Sequence, residues 1–301
     1  MKKLLIDLMI VLLMLIGFDI SIAKIGDYLL EHVEDTSFYG EIKYAITELS
    51  PEILILGASN AKSHYVPKIF MDSLHMATYN AGSDGKNILY HSCILNAVIQ
   101  RNHPKLVVLE LGKDEFESDF YDRLSVLNPF YSYDSLIRET VNLKSKTEWM
   151  KMKSYLYRYN SRIITLLYNC YKKGENKDAG YRALPYGGDL PVLDTIKIEG
   201  EVDRQSVDRF NYVLNISKKN NIPIIVAVSP YYGIIDKETK SMKIMKSLCK
   251  QNNIPFLNNI QSAYFLQHPE YFRDVNHLNH KGAEIYTKMI IKDIDKTNSK
   301  N

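Results

Sequence analysis

Three short stretches of the chain are apolar almost throughout, not at alternate positions. Ile53-Leu54-Ile55-Leu56 stops at Gly57, residues 106–111 follow Pro104 and stop at Gly112, and residues 222–228 run from a Lys/Asn-rich turn to Ser229-Pro230. Nearly continuous runs of Ile, Val and Leu of this length mark strands buried on both faces. Two weaker strands are predicted at 76–79, ending in Asn80-Ala81-Gly82, and at 254–257, ending in Asn258-Asn259. Between them lie segments of helical period at about 61–74, 88–102, 203–220, 237–252 and 280–294. Strands that alternate with helices predict an α/β fold: a three-layer α/β/α sandwich around a five-stranded parallel sheet. In such sheets ligands bind beyond the carboxyl ends of the strands.

Two regions stand outside this alternation. Lys2 and Lys3 precede an apolar stretch from Leu8 to Phe18, bounded by Asp7 and Asp19, which reads as the charged and apolar parts of an export signal. The uninterrupted run is shorter than the roughly 20 residues of a full span. Ser21-Ile22-Ala23 offers a cleavage site, while Tyr28-Leu29-Leu30 continues the apolar pattern past it. Residues 1–25 are therefore expected to be a retained signal-anchor or, alternatively, a cleaved signal peptide. With Lys2 and Lys3 in the cytoplasm, the remainder lies outside it. A buried N-terminal helix of a cytoplasmic protein is the competing structural reading. Residues 26–50 are read as a linker and helix, 51–295 as the α/β domain, and 296–301 as a polar tail.

The second region, about 116–202, is too long for an ordinary strand-to-helix connection. It is rich in tyrosine (Tyr131, Tyr133, Tyr155, Tyr157, Tyr159 and Tyr168 among others), helical near 145–173, and turns at Tyr186-Gly187-Gly188-Asp189. It is expected to be an insertion packed over the carboxyl edge of the sheet. Its rings suit sugar or acyl recognition, or they simply pack with their hydroxyls at the surface.

Composition narrows the functional classes. The chain has 46% apolar and 24% charged residues, enough to fill a core and too much to remain disordered. Lys and Arg number 38 against 35 Asp and Glu, which gives no general basic character and no expectation of a nucleic-acid partner. Cys93, Cys170 and Cys249 are far apart with no C-x-x-C, so neither a zinc knuckle nor a disulfide framework is indicated.

Three features fall where a site should be. Gly57-Ala58-Ser59-Asn60 follows the first strand, where glycine permits a sharp turn and Ser59 presents its hydroxyl at the top of the sheet; an ordinary N-cap is the plainer role for the same serine. The G-x-S-x-G elbow is absent, because Ala61 stands at its second glycine. Near the C-terminus, Asp274-Val275-Asn276-His277 precedes the last helix. A serine hydroxyl needs a base, which imidazole supplies, and a carboxylate three residues earlier can orient that ring and stabilise its protonated form. A second D-x-x-H, Asp72 and His75, lies inside a helical segment, and only the 274–277 copy is at the sheet edge. Gly82, after the second strand, allows a backbone N–H close to a developing oxyanion, or is a plain turn glycine.

In this order the three features resemble the SGNH, or GDSL-type, hydrolase and acyltransferase superfamily. The resemblance covers most of 52–115 and 222–294 and implies the family's flavodoxin-like α/β/α sandwich. It implies Ser59 as nucleophile, Ser59 and Gly82 N–H groups as oxyanion donors, and Asp274 with His277 as acid and base. Two positions depart from the family pattern. Ala58 replaces an aspartate, and Asp114 occupies the place of the oxyanion asparagine, where a carboxylate repels the forming charge. Asn60 or Asn87 then substitutes, the site is slow, or Asp114 points elsewhere.

With the export signal, the resemblance implies a serine-dependent ester hydrolase or O-acyltransferase of the cell envelope, acting on acyl, notably acetyl, esters of a surface carbohydrate. It implies no organic cofactor and no metal. A transferase would need a membrane partner to hand over its acyl donor. The alternative is a catalytically silent module of this fold that binds or assembles polysaccharide.

Overall fold

A computed structural model of the chain describes residues 1–117, 120–160, 162–172, 178–198 and 200–298. The described residues fall into two compact units, Glu48–Phe120 with Lys177–Asn301 and Met1–Thr47 with Tyr121–Asn176.

The first of these contains the five-stranded sheet. Its strands are β1 (Ile53–Leu56), β2 (Thr78–Asn80), β3 (Leu106–Glu110), β5 (Ile224–Val228) and β7 (Phe256–Asn258), all parallel, in the order β2-β1-β3-β5-β7. Two further short strands, β4 (Thr195–Ile196) and β6 (Ile234–Ile235), pair with each other in a separate ribbon. The three continuous apolar runs are the three central strands, and every residue of β1, β3 and β5 is buried. Alternation sets the faces: Ile53 and Ile55 join Val108, Ile225 and Ala227 in one cluster with Phe265, Tyr286 and Ile290. That face is covered by α3 (Ser59–His64), α4 (Pro67–Leu74) and α13 (His280–Asn298). The opposite layer holds α5 (Ile88–Arg101), α10 (Arg204–Lys219) and α11 (Lys240–Asn252), while the single turn α12 (Ala263–Leu266) puts Phe265 into the cluster on the α13 side. The fold is thus the expected α/β/α sandwich.

Local chemistry explains where the sequence pattern and the elements differ. The helical segment expected over 61–74 is two helices, because Val66 precedes Pro67 and takes an extended conformation. The weak second strand starts two residues later than expected, since Ala77 is engaged by Glu52: the Ala77 carbonyl accepts from the amides of Glu52 and Ile53. The last helix runs on through Asn298, and residues 299–301 of the expected tail lie outside the described residues.

The other unit is all helical: α1 (Lys2–Glu31), α2 (Phe38–Thr47), α6 (Ser135–Asn142), α7 (Glu148–Lys151), α8 (Tyr155–Tyr159) and α9 (Arg162–Tyr171). The helical piece expected near 145–173 is three helices. Ser154 starts a new one by accepting from the Tyr157 amide, and Asn160 at φ 26° ends it; residue 173 lies outside the described residues. Helix α1 is long and apolar enough to cross a membrane, and it continues unbroken past Ala23.

Candidate active site

The site begins at the turn after β1. Gly57 has φ 144°, and a Cβ there would lie 2.3 Å from the Glu110 carbonyl oxygen, so only glycine lets the chain leave β1 so close to β3. The turn puts Ser59 at the first residue of α3, after an N-cap, Ala58, that has no side chain to accept from the first-turn amides.

Across the edge, the loop before α13 carries the other two groups. His277 Nε2 is 2.8 Å from Ser59 Oγ, and His277 Nδ1 is 2.9 and 3.0 Å from the two carboxylate oxygens of Asp274. Asp274 Oδ1 also accepts from the backbone amides of Asn276 (2.9 Å) and His277 (3.0 Å), so the loop is folded around its own carboxylate. With Nδ1–H donating to the carboxylate, Nε2 is left to accept from the serine hydroxyl. Asp72 and His75, by contrast, are exposed on and just beyond α4, with His75 its left-handed C-cap.

A cavity of about 220 Å³ opens at Ser59 and His277. Ala58, Asn60, Gly112, Lys113 and Asp114 line it, with Val228 and Ser229 from the end of β5, Tyr231, Ile260 and Asn276. Asp114 therefore does face the site. Lys113 reaches across to Asn276 Oδ1 (3.3 Å) and lies 4.5 Å from the centre of the Tyr231 ring; burial lowers its pKa, and Asp114 opposes that shift.

The structure gives Gly82 a different task from the donor expected of it. Its N–H donates to Asn80 Oδ1 at 3.0 Å, and Gly82 is not among the residues lining the cavity. The absent side chain instead lets this loop lie against α3, where a Cβ would meet Lys62 N at 2.5 Å. Of the two substitute asparagines, Asn60 lines the cavity. Asn87 does not; it is buried at the N-cap of α5.

Sequence reasoning passed over Glu110 and His64. Glu110 ends β3 and is 2% exposed, yet it lines the cavity floor. Burial pushes its pKa up to about 7, against the opposing effect of bonds from the Tyr65 hydroxyl and the Ser229 amide. The nearby Glu115 is also raised to about 7 by burial, although it accepts from the amides of Ile88 and Gly112. A lone glutamate closing an otherwise apolar strand was the available signal. His64, at the end of α3, accepts from the Leu278 amide through Nε2 at 2.9 Å and so ties α3 to the loop of His277. Burial, reinforced by the neighbouring His277, keeps its ring neutral.

Part of the expected insertion also reaches this site. The Arg182 amide donates to the Lys62 carbonyl (2.9 Å), the His280 amide to the Leu184 carbonyl (2.8 Å), and the Tyr181 hydroxyl is 2.9 Å from His280 Nδ1. A Cβ on Gly187 would lie 1.6 Å from the Arg273 carbonyl oxygen, so this strap presses on the backbone next to Asp274. None of the tyrosines of 116–202 lines the cavity.

No protein-family model matches the chain, and no curated protein matches it by sequence. Among solved structures, it is similar to the acetyl xylan esterase AlAXEase, with 14% identity and a TM-score of 0.43 over 80% of this chain and 99% of that one. It is similar to a putative acylhydrolase from Bacteroides fragilis, with 14% identity and a TM-score of 0.40 over 81% of this chain and 86% of that one. A third is the psychrotrophic esterase EstA from Pseudoalteromonas sp., with 13% identity and a TM-score of 0.41 over 82% of this chain and 98% of that one.

Proposed function

We propose that the chain is a serine-dependent ester hydrolase or O-acyltransferase of the SGNH type, held to the cell envelope by α1 and acting on small acyl esters of a surface carbohydrate. The observation that carries the reading is the unbroken line of bonds from Ser59 Oγ through His277 to Asp274, at the mouth of a cavity.

In this reading Ser59 Oγ attacks the acyl carbon while His277 Nε2 takes its proton, and Asp274 stabilises the imidazolium. The oxyanion is received by the Ser59 N–H, with Asn60 as the second donor because it, and not Gly82, borders the cavity. His277 then protonates the leaving alcohol, and the acyl-enzyme passes its acyl group to water or to a sugar hydroxyl. Asp114 on the cavity wall works against the oxyanion, which makes a slow esterase the expected phenotype.

The test is covalent labelling by a fluorophosphonate. Wild type should label, and Ser59→Ala and His277→Ala should not. Labelling that persists in Ser59→Ala overturns the assignment; a wild type that stays unlabelled supports a silent polysaccharide-binding module. Incubating labelling-competent protein with an acetylated donor and a glycan, and measuring free acetate against acetylated glycan, separates hydrolysis from transfer.

A further inference from the structure

Within the helical unit, the point where α1 stops being bare is chemically defined. Large apolar residues from Leu4 to Phe18 are all substantially exposed, whereas Ala23, Gly26 and Leu29 are buried. Between these parts stands Asp19, whose carboxylate accepts from Ser154 Oγ (2.7 Å) and from the amides of Tyr155 (3.0 Å) and Leu156 (2.7 Å). The start of α8 is thereby clamped to α1 at the end of the bare segment, and Asp19 is kept hydrogen-bonded where an isolated charge would be costly. Glu148, 1% exposed, ties α7 to the same place by accepting from the Tyr157 hydroxyl at 2.8 Å.

This clamp fixes the depth of three exposed apolar side chains. Trp149 is 48% exposed, Met150 55% and Leu156 49%, and Lys153 Nζ sits 4.8 Å above the Trp149 ring. From Leu8 to Phe18, between Asp7 and Asp19, α1 supplies an uninterrupted apolar length of roughly 16 Å at about 1.5 Å per residue, against a hydrocarbon core of about 30 Å. A span that falls short draws its flanking structure into the bilayer interface. Tryptophan beside lysine is the pairing that this zone favours, with the ring at headgroup depth and the ammonium toward phosphate.

We propose that α7 and the start of α8 form an interfacial collar, seated in the headgroup layer of an anionic bilayer through Trp149, Met150 and Leu156 with Lys153 facing the lipid phosphates. The collar rests on the reading of α1 as a retained anchor and extends it: the anchor and the collar are one lipid-facing surface. It also predicts that the helix is kept whole through Ser21-Ile22-Ala23, since cleavage after Ala23 would remove the Asp19 cap from α8.

Trp149 is the chain's only tryptophan, so its emission reports the collar directly. The full chain in nanodiscs of phosphatidylcholine and phosphatidylglycerol, about 3:1, is compared with nitroxide labels placed near the glycerol level and near the acyl-chain middle. A collar at the interface loses roughly half its emission to the shallow label, much less to the deep one, and shows reduced acrylamide quenching. If the chain stays in the nanodiscs through alkaline washing but neither label quenches Trp149, the collar is wrong and the anchor stands. That result is also expected if a protein partner covers this face instead of lipid. If the chain washes off, the anchor reading fails and the collar fails with it.

Discussion

Ile53, Leu54, Ile55 and Leu56 of β1 expose none of their surface, whereas Leu12, Leu13, Met14 and Leu15 of α1 each leave more than half of theirs uncovered. The two runs are nearly the same in composition. In the sheet unit, strands on either side and helices above and below remove the run from water, and the hydrophobic effect is satisfied within the unit. In the helical unit the run is left uncovered by the described residues. What differs is how the neighbours are arranged: strand–helix alternation surrounds the first run, and none of the described residues surrounds the second. The chemistry follows the same division. Ser59, Asp274 and His277 all stand on the unit that closes its own core.

The sharpest way to break the comparison is to remove residues 2–18. The expected outcome is complete loss of retention by vesicles, read by flotation, with fluorophosphonate labelling of Ser59 within about twofold of wild type, because no residue of the bonded line is removed. The converse is Ser59→Ala, which should lower ester turnover by about 10⁴-fold or more while leaving flotation unchanged. A variant that loses both would show that the two units do not act separately.

A third test concerns the floor of the cavity. Glu110 is raised from 4.5 to about 7 by burial. Below about pH 4.5 its carboxyl is protonated in both the folded and the unfolded chain; between there and 7 the unfolded chain releases the proton first. Stability is therefore full at low pH and falls as pH rises through this window, by up to about 3 kcal/mol from this group. Denaturant titrations from pH 4.5 to 8 should show that fall, and Glu110→Gln should remove about half of it while keeping most of the buried bonds, because Glu115 is raised to the same value and contributes the rest. A Glu110→Gln profile as steep as wild type would mean that another group is responsible. The smallest effect is expected for Gly187→Ala. The added methyl collides with the Arg273 carbonyl and shifts the loop of Asp274 and His277, costing about 10- to 100-fold in turnover with little change in melting temperature.

Much of the sheet was legible because burial on both faces leaves a run of consecutive apolar residues, and the three strands that show it are the three in the middle. The outer two, β2 and β7, are three residues each and more exposed, so their pattern is short and their limits shift by two residues. Ser59, Asp274 and His277 were legible from placement, since strand ends and the start of the last helix can be located in a sequence. Gly82 was left open between oxyanion donor and plain turn glycine because its N–H answers to Asn80, a side chain whose direction no pattern reveals. Glu110 and His64 escaped for a related reason: each is a polar group inside an otherwise apolar element, meaningful only once Tyr65, Ser229 and Leu278 are seen around it. The helical unit was hardest, because its register rests on single contacts such as Asp19 with Ser154 and not on a repeating period.

Asp274 and His277 share one short loop whose own amides bind the carboxylate. Thermal motion of that loop carries proton acceptor and counter-charge together, so their mutual alignment survives while the gap to the serine oxygen opens and closes. The gap between Ser59 and His277 is then a single coordinate, and a ligand that merely steadies the loop would hold it closed without touching any of the three side chains.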